Sequence, residues 1–305
     1  MKNFMVFLTA ALVTCFANTT FAANTSPEGD SLKFASLGTF GNDSIIPFRA
    51  DQHDEYNTYS GMTSLFWGTR WGVIEVGHGS QMYAPAAVFQ AKGKLKDRLW
   101  AGAMTYQLAL HNQWPSGIQT RFALGVDVIG PQTGLGYIQT RLHELLDLRT
   151  PCKCVLRNQI GNATYFAAQA EVAYPIEFGM VTMRPFGEVR VGYEQLARVG
   201  VDVFFGGAPS VLTREYVTGQ VFTPRAPRGW SANIGIDYTH VFQSALYPER
   251  SPVDMIADFG RIRAAVVYQG RRWNVQLGVA SISPQFVGQK RGWQEVAYIA
   301  AGISW

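Results

Sequence analysis

Long segments in which every second residue is apolar place the strongest constraint on how this chain can fold. In the segment GWSANIGIDYT, the side chains of Trp230, Ile234 and Tyr238 would share one face, and small or polar residues would take the other. A period of two indicates a β-strand, because successive side chains of a strand point to opposite faces. RFALGVDV, RWNVQLGVA and the segment from Glu295 to Trp305 alternate in the same way. We therefore predict an all-β fold.

The class of β-protein depends on other features, since a soluble β-sandwich would alternate as well. The predicted strands are about ten residues or longer, beyond the usual length of about five or six in globular sheets. Aromatic residues recur at the strand ends, as in the two interfacial girdles of outer-membrane barrels. They are Trp67, Trp71, Trp100, Trp230, Tyr268, Trp273 and Trp305. These features favour a twelve-stranded antiparallel transmembrane β-barrel.

Twelve segments fit the strand pattern. They lie near residues 32–39, 57–69, 71–81, 99–111, 118–129, 161–174, 179–192, 196–206, 229–243, 257–269, 272–283 and 294–305. Both termini of such barrels face the periplasm, so alternate connections, beginning with the first, lie outside the cell. The segment from Gly207 to Arg228 takes a periplasmic position, where its length is unexpected.

An apolar segment precedes the first predicted strand. It follows Lys2 and ends with the small residues Thr20 and Ala22, which predicts a signal peptide over residues 1–22. One β-barrel domain over residues 23–305 would follow. Loss of Lys2 lowers the formal charge from +4 to +3, too little to indicate a nucleic-acid partner.

Two cysteines, Cys152 and Cys154, lie close together in the segment PCKCV. A single pair cannot cross-link a chain of this length into a disulfide scaffold. We interpret them as incidental thiols of a loop, and a local disulfide or half of a metal site are the alternatives.

Polar residues suited to chemistry fall in the connections predicted to be extracellular. Asn42 and Asp43 follow the first strand, and the segment GYIQTRLH has the pattern of a short helix. Gln139 and His143 would share one face of this helix, because they are four residues apart. The third predicted strand is followed by Lys92, Lys94 and Lys96. These groups would meet on one rim of the barrel.

Such groups at a boundary between water and lipid fit an ester hydrolase. A histidine has an unperturbed pKa of about 6.5 and can take a proton from water near neutral pH. Carboxylate and amide oxygens, such as those of Asp43 and Asn42, suit Ca²⁺, which can polarise an ester carbonyl. No G-x-S-x-G motif supports a serine nucleophile. The ordinary alternative is that Asn42 and Asp43 form a turn and that the histidine is solvated.

The segment DVIGPQTGLGYIQTRLH, Asp127 to His143, resembles the most distinctive motif of the outer-membrane lipid A 3'-O-deacylase family. In that motif a strand ends in Gly-Pro and Q-x-x-x-H follows. Similar motifs occur in the same order from about residue 32 to 175. They are Asn42-Asp43, Gly61, Gln81-x-Tyr83-x-Pro85, Asp97-Arg98, and NQIGN at Asn158 to Asn162.

The resemblance implies a twelve-stranded barrel in the Gram-negative outer membrane, and we expect it to be a monomer. It would hydrolyse the 3'-linked acyloxyacyl ester of lipid A, the membrane anchor of lipopolysaccharide, in the outer leaflet. It also implies Ca²⁺ dependence, with Asn42 and Asp43 at the metal or oxyanion region. His143 would activate water as general base, with Gln139 beside it. Ser60 and Lys94 complete the predicted catalytic set.

Two departures from the family pattern leave roles open. The family has Y-T-x-G at the start of its second strand, whereas this chain has TYSG, so Thr58, Tyr59 or Ser60 could supply the hydroxyl. A glutamate expected six residues after the histidine is replaced by Arg149. The motif lysine is Lys94 or one of its two neighbouring lysines. A non-enzymatic porin or receptor barrel with a wide lumen and an outer-membrane phospholipase are the alternative functions.

Overall fold

A computed structural model describes residues 33–43, 55–86, 88–89, 97–290 and 292–305. The predicted signal peptide and Lys94, with its neighbouring lysines, lie outside the described residues. The strands are β1 (Phe34–Asn42), β2 (Tyr56–Thr69), β3 (Gly72–Ala84), β4 (Ala101–Gln113), β5 (Gln119–Ile129), β6 (Ala163–Ala173), β7 (Ile176–Phe178), β8 (Val181–Val191), β9 (Glu194–Phe205), β10 (Thr213–Arg214), β11 (Val221–Phe222), β12 (Gly229–Ser244), β13 (Asp258–Gln269), β14 (Trp273–Ile282) and β15 (Gln294–Ser304). A 3-10 turn (Pro131–Thr133) leads into helix α1 (Leu135–Leu145), and α2 (Lys153–Arg157) follows.

Twelve of these strands form a closed antiparallel barrel. The wall runs from β6 back through β5, β4, β3 and β2 to β1, and continues through β15, β14, β13, β12 and β9 to β8. Pairing between β6 and β8 closes it. Closure removes the exposed strand edges whose unpaired backbone groups would be costly in lipid. The predicted fold and strand number are confirmed, although β1 extends further than predicted and ends at Asn42.

The connections alternate between two rims because neighbouring strands are antiparallel. Connections β1–β2, β3–β4, β5–β6, β8–β9, β12–β13 and β14–β15 lie at one rim, here called the upper rim. The remaining connections lie at the lower rim. Among the described residues, no helix combines the length and the apolar character needed to cross a membrane.

The two surfaces of the wall differ in polarity, as the alternation predicts. On β12, Ile234 and Ile236 are exposed on the outer surface, whereas Asn233 and Asp237 are buried on the lumen side. The outer surface therefore suits contact with lipid, and the polar groups are collected in the lumen.

The long segment between β9 and β12 folds back into the barrel, which explains its unexpected length. Residues 211–224 are buried, and β10 pairs with β11 to form a short hairpin. We call residues 207–228 the plug. It enters from the lower rim and occupies the lumen.

Arg214 anchors the plug to the wall. Its guanidinium donates to Asp202 on β9 at 2.8 Å and to Glu171 on β6 at 2.8 Å. Asp202 also accepts hydrogen bonds from Arg184 at 3.3 Å and from Arg263 at 2.6 Å. A buried charge is costly unless it is paired and hydrogen-bonded, so this network holds the plug in one position.

The tip of the plug contacts strands β2 and β4. The Glu215 carboxylate accepts hydrogen bonds from the amides of Val217 at 3.0 Å and Thr218 at 2.7 Å, and from the Ser60 hydroxyl on β2. The Tyr216 hydroxyl donates to Gln107 on β4 at 2.6 Å. The plug therefore supports the wall from inside.

The filled lumen bears on the porin alternative, which predicts a wide passage. Within the described ranges, the lumen-facing side chains of Glu75, Asp202 and Arg263 are at most 1% exposed. They are paired with one another or with neighbours rather than arranged as open charged rings. This part of the barrel has no open passage at their level.

Removal of the plug should open the barrel. We expect a variant with a short Gly-Ser linker in place of residues 208–227 to show stepwise ion conductance in planar bilayers. The intact protein should show none, and Ser210→Ala, which changes an exposed plug residue and keeps the Arg214 contacts, serves as a closed control. Steady conductance through the intact protein would contradict the role given to the plug.

Candidate active site

Helix α1 lies against the outer surface of the barrel at the upper rim. Ala101 and Ala103 on β4 face the lumen, so Gly102 between them faces outward. A Cβ at Gly102 would lie 2.6 Å from Thr133 Oγ1 and 3.1 Å from Leu135 Cβ. Glycine at this position therefore allows the start of the helix to approach the wall.

The two predicted site residues of α1 face the wall together. Gln139 and His143 are buried on the same side as Leu135, which confirms the predicted short helix. The adjacent flank of the helix exposes Ile138, Leu142 and Leu145, the last at 82%. This apolar stripe continues the lipid-facing surface of the barrel.

Trp100 fixes the position of Gln139. The indole Nε1 of Trp100, next to the start of β4, donates to Gln139 Oε1 at 3.1 Å. Trp100 and Leu135 belong to one buried cluster with Met82, against which Tyr59 packs. This contact ties the middle of α1 to the barrel wall.

The end of α1 brings a backbone carbonyl to His143. Asp147 has a positive φ of 53°. Its amide donates to the Glu144 carbonyl at 3.3 Å, and the Leu148 amide donates to the His143 carbonyl at 2.8 Å. This is a Schellman motif, which reverses the chain after a helix. The reversal places the Arg149 carbonyl 2.7 Å from His143 Nδ1.

This contact determines the tautomer of the neutral imidazole. A carbonyl oxygen can only accept, so Nδ1 of His143 carries the hydrogen and Nε2 carries the lone pair. The arrangement is that of an oriented base. The Arg149 backbone thus orients the ring at the place in the sequence where the family pattern has a glutamate side chain.

The segment after α1 is held against the β3–β4 connection. The Arg149 guanidinium donates to the Phe89 carbonyl at 3.1 Å and lies 5.6 Å from the Phe89 ring centroid. The Cys152 amide donates to the Val88 carbonyl at 2.9 Å.

Cys152 and Cys154 form a disulfide, so their interpretation as incidental thiols is wrong. Spacing alone did not separate a local disulfide from two free thiols.

Asp43 lies at the upper end of β1 in a dense set of hydrogen bonds. Its two carboxylate oxygens accept from the Glu55 amide at 2.9 Å and the Thr58 hydroxyl at 3.3 Å. The side chain is 1% exposed. A β-bulge between Asn57 and Tyr59 lets Thr58 turn toward it, and bulges of this kind often re-aim a side chain beside a site.

The three candidate hydroxyls of β2 point in different directions. Thr58 donates to Asp43, and Tyr59 lies on the outer face with its hydroxyl 3.3 Å from Ser80 Oγ. Ser60 faces the lumen, where it donates to Glu215 of the plug. This placement favours Thr58 over Ser60 as the hydroxyl of the site.

The Asp43 region and the start of α1 both lie at the upper end of strands β1 to β4. In the register of the sheet, Asn42 is opposite Tyr59, Tyr59 opposite Met82, and Met82 opposite Gly102, which contacts the start of α1. Neighbouring strands are about 4.8 Å apart, so Asn42 and Gly102 are separated by roughly 14 Å across the outer face. That Asn42 and Asp43 join Gln139 and His143 in one catalytic cluster stays a prediction.

Sequence reasoning missed Trp100 and the Arg149 carbonyl. Trp100 closely follows the Asp97-Arg98 motif, which could have drawn attention to it. Asp97 is buried, accepts hydrogen bonds from the amides of Ala86 at 2.8 Å and Arg98 at 2.7 Å, and has its pKa raised by burial. A backbone carbonyl leaves no signal in the sequence.

No group of three or more His, Cys, Asp or Glu suited to a metal occurs among the described residues.

The architecture defines an outer-membrane barrel with a polar site between its lipid-facing wall and an external helix. The model of the family described as outer membrane protein LpxR matches residues 6–305, so the chain belongs to this family. This confirms the resemblance to the lipid A 3'-O-deacylase family and, with the fold, assigns the chain to the Gram-negative outer membrane.

One solved structure supports the fold, and two further matches are weaker. LpxR from Salmonella typhimurium superposes with a TM-score of 0.75 at 14% identity, covering 89% of this chain and 100% of that chain. An outer membrane channel from Pseudomonas putida F1 has a TM-score of 0.46 at 9% identity, covering 92% and 100%. The β domain of the Bordetella autotransporter BrkA has 0.43 at 10% identity, covering 90% and 100%. None of the curated proteins matches the sequence.

Substitution of Gly102 should loosen α1 from the wall. A valine at this position would overlap Thr133 and Leu135, and overpacking of this kind costs about 1–3 kcal/mol. We expect faster amide exchange over residues 135–145, measured by hydrogen–deuterium exchange mass spectrometry. Gly38→Val is the control, because a Cβ at Gly38 has no atom within 4 Å. Equal exchange in the two variants would show that Gly102 does not seat the helix.

Proposed function

We propose that this chain is a calcium-dependent lipid A deacylase that hydrolyses the 3'-linked acyloxyacyl ester in the outer leaflet. The observation that carries the proposal is the oriented imidazole of His143 between α1 and the lipid-facing wall. An ester hydrolase acting on membrane lipid needs a base at this boundary, and membership of the LpxR family supports the choice of lipid A.

Water is the proposed nucleophile. With the hydrogen of His143 on Nδ1, its Nε2 accepts a proton from water as the water attacks the ester carbonyl. The Arg149 carbonyl stabilises the resulting imidazolium. As the ester C–O bond breaks, the imidazolium returns the proton to the leaving alkoxide oxygen, and the carboxylic acid is released. Gln139, held by Trp100, lies on the same helix face and positions the water or the ester. The predicted role of Lys94 stays a prediction.

The oxygen-rich end of β1 is the proposed calcium region. Asn42, Asp43 and Thr58 offer amide, carboxylate and hydroxyl oxygens, which are the donors a hard cation prefers. When bound there, Ca²⁺ would polarise the ester carbonyl and stabilise the oxyanion. Hydrogen bonds from the Glu55 amide and Thr58 fix the Asp43 carboxylate, so little reorganisation is needed.

Substrate is proposed to reach the site sideways from the membrane. The filled lumen blocks the alternative route, and the apolar stripe of Ile138, Leu142 and Leu145 suits contact with acyl chains. With the upper rim facing outward, the outer leaflet supplies lipid A at the level of His143. A single closed barrel carries all the proposed groups, and we propose that it acts as a monomer.

Replacement of His143 should remove activity while the barrel still folds. His143→Ala is expected to lower turnover of purified lipid A by roughly 10² to 10⁴, the usual loss when a general base is removed. Mass spectrometry of the lipid products measures this, and heat-modifiable electrophoretic migration checks folding. His240→Ala on β12 is the matched control. Asp43→Ala and removal of calcium by a chelator should be comparably damaging, the latter reversibly.

Full activity of His143→Ala on lipid A would exclude the water-activation scheme. Release of fatty acid from phospholipids but not from lipid A would instead favour the phospholipase alternative. If neither lipid changes in the presence of the intact protein, a non-enzymatic barrel becomes the better explanation.

The two hydroxyls of β2 should differ in importance. Thr58→Val removes a hydrogen bond to a carboxylate and should lower turnover about 10- to 100-fold. Ser60→Ala should stay within about twofold, because Glu215 keeps its bonds to the amides of Val217 and Thr218. The measurement is lipid A turnover at equal amounts of folded protein. The reverse order would place the catalytic hydroxyl at Ser60, as the sequence predicts.

A further inference from the structure

The barrel wall has a gap at the upper rim between β6 and β8. The pairing of these strands runs from Ala173–Phe186 to Ala168–Val191 and stops there. Residues 163–167 of β6 pair with β5 on one side. On their other side they have no strand partner in the described part of the chain. A short edge of β-sheet is therefore open.

The gap arises because the turn after β8 bends inward. The Tyr193 amide donates to Asp127 Oδ2 in the lumen at 3.0 Å, and the Tyr193 and Tyr83 hydroxyls are 2.8 Å apart. These bonds draw the β8–β9 turn toward the lumen and away from β6. The gap is thus a built feature of the wall.

A cleft of about 780 Å³ occupies this gap. The longer β5–β6 and β12–β13 connections form its sides. Polar and aromatic groups from both sides line it, including Asn162, Tyr165, Gln195, Phe242 and Gln243. It is large enough for a ligand of several rings.

The open edge indicates the depth of the cleft in the membrane. Backbone N–H and C=O groups without partners are costly in hydrocarbon. The edge must therefore lie where water or hydroxyl groups of a ligand can reach it. At the outward-facing end of an outer-membrane barrel, this is the layer of sugars above the acyl chains.

The chemistry of the lining suits neutral sugars. The side-chain amides of Gln195 and Gln243, 3.3 Å apart, offer donors and acceptors for ring hydroxyls. Asn162 adds only its amide N–H groups, because its side-chain oxygen accepts from the Gln132 backbone amide at 2.8 Å. The Phe242 ring is 65% exposed and offers an apolar surface for a sugar face. Glu249 and Asp254 also line the cleft, and their carboxylates disfavour phosphate groups.

We propose that this cleft binds neutral sugar residues of the oligosaccharide of an outer-leaflet glycolipid. The assignment of that glycolipid to the substrate, lipopolysaccharide, rests on the proposed function. The geometry connects the two sites, because the β5–β6 connection carries α1 near its start and forms one side of the cleft at its end. The sugars would then be held while the ester lies at His143.

Binding of a lipid-free oligosaccharide tests the cleft without any hydrolysis. The probe is oligosaccharide released from lipopolysaccharide by mild acid, added to the full chain in detergent micelles and measured by calorimetry. We expect at least tenfold weaker binding for the double variant Gln195→Ala, Gln243→Ala and for Phe242→Ala. Phe178→Ala, which removes an exposed ring near the lower rim, is the matched control and should bind normally. Dephosphorylated oligosaccharide should bind as well as the untreated form.

Kinetics separates the cleft from the catalytic proposal. If His143 acts as proposed, the cleft variants should raise KM for lipopolysaccharide at least severalfold, with kcat and the KM for sugar-free lipid A unchanged. If no lipid is hydrolysed, binding of the oligosaccharide still supports the cleft. Absence of binding, binding unaffected by the variants, or binding lost on dephosphorylation would overturn the inference. So would preferential capture of an extended peptide along the open edge of β6.

Discussion

Backbone hydrogen bonding in lipid is the constraint on which the rest of this structure depends. A wall that crosses a membrane must satisfy every N–H and C=O group within the protein, so the strands close into a barrel. Closure sorts the side chains into an apolar outer surface and a polar lumen. Polar groups that meet both lipid and water then lie at the rims, and α1 brings Gln139 and His143 to one of them.

The buried, paired charges of the lumen join the plug to the barrel wall. Asp202 accepts from three arginines, one of which, Arg214, belongs to the plug, so the plug and three strands of the wall share one network. At the tip, Glu215 binds Ser60 on β2, two residues from Thr58 at the site. Support from inside the lumen thus reaches the strand that fixes Asp43. A wall held in this way can carry an external helix without losing its geometry.

The sequence predicts the regular parts of this protein and misses what depends on contacts between distant segments. Alternation locates the twelve strands because each strand has lipid on one face and the polar lumen on the other. The spacing of Gln139 and His143 places them on one helix face. The bulge at Asn57 and Tyr59 breaks that period locally, so parity could not separate Thr58 from Ser60. The role of the plug could not be predicted from the sequence for a different reason. Its charges have partners on β6 and β9 that only the closed barrel brings together.

The departure at Arg149 shows how a backbone group can take the place of a side chain. The family pattern has a glutamate at this position, whereas here the end of the helix orients the histidine through a backbone carbonyl. The Schellman motif at Asp147 sets the direction of the chain, and the Arg149 side chain, bound to the Phe89 carbonyl, keeps the segment in place. The orientation of the imidazole is therefore set by backbone geometry and does not require a carboxylate at this position.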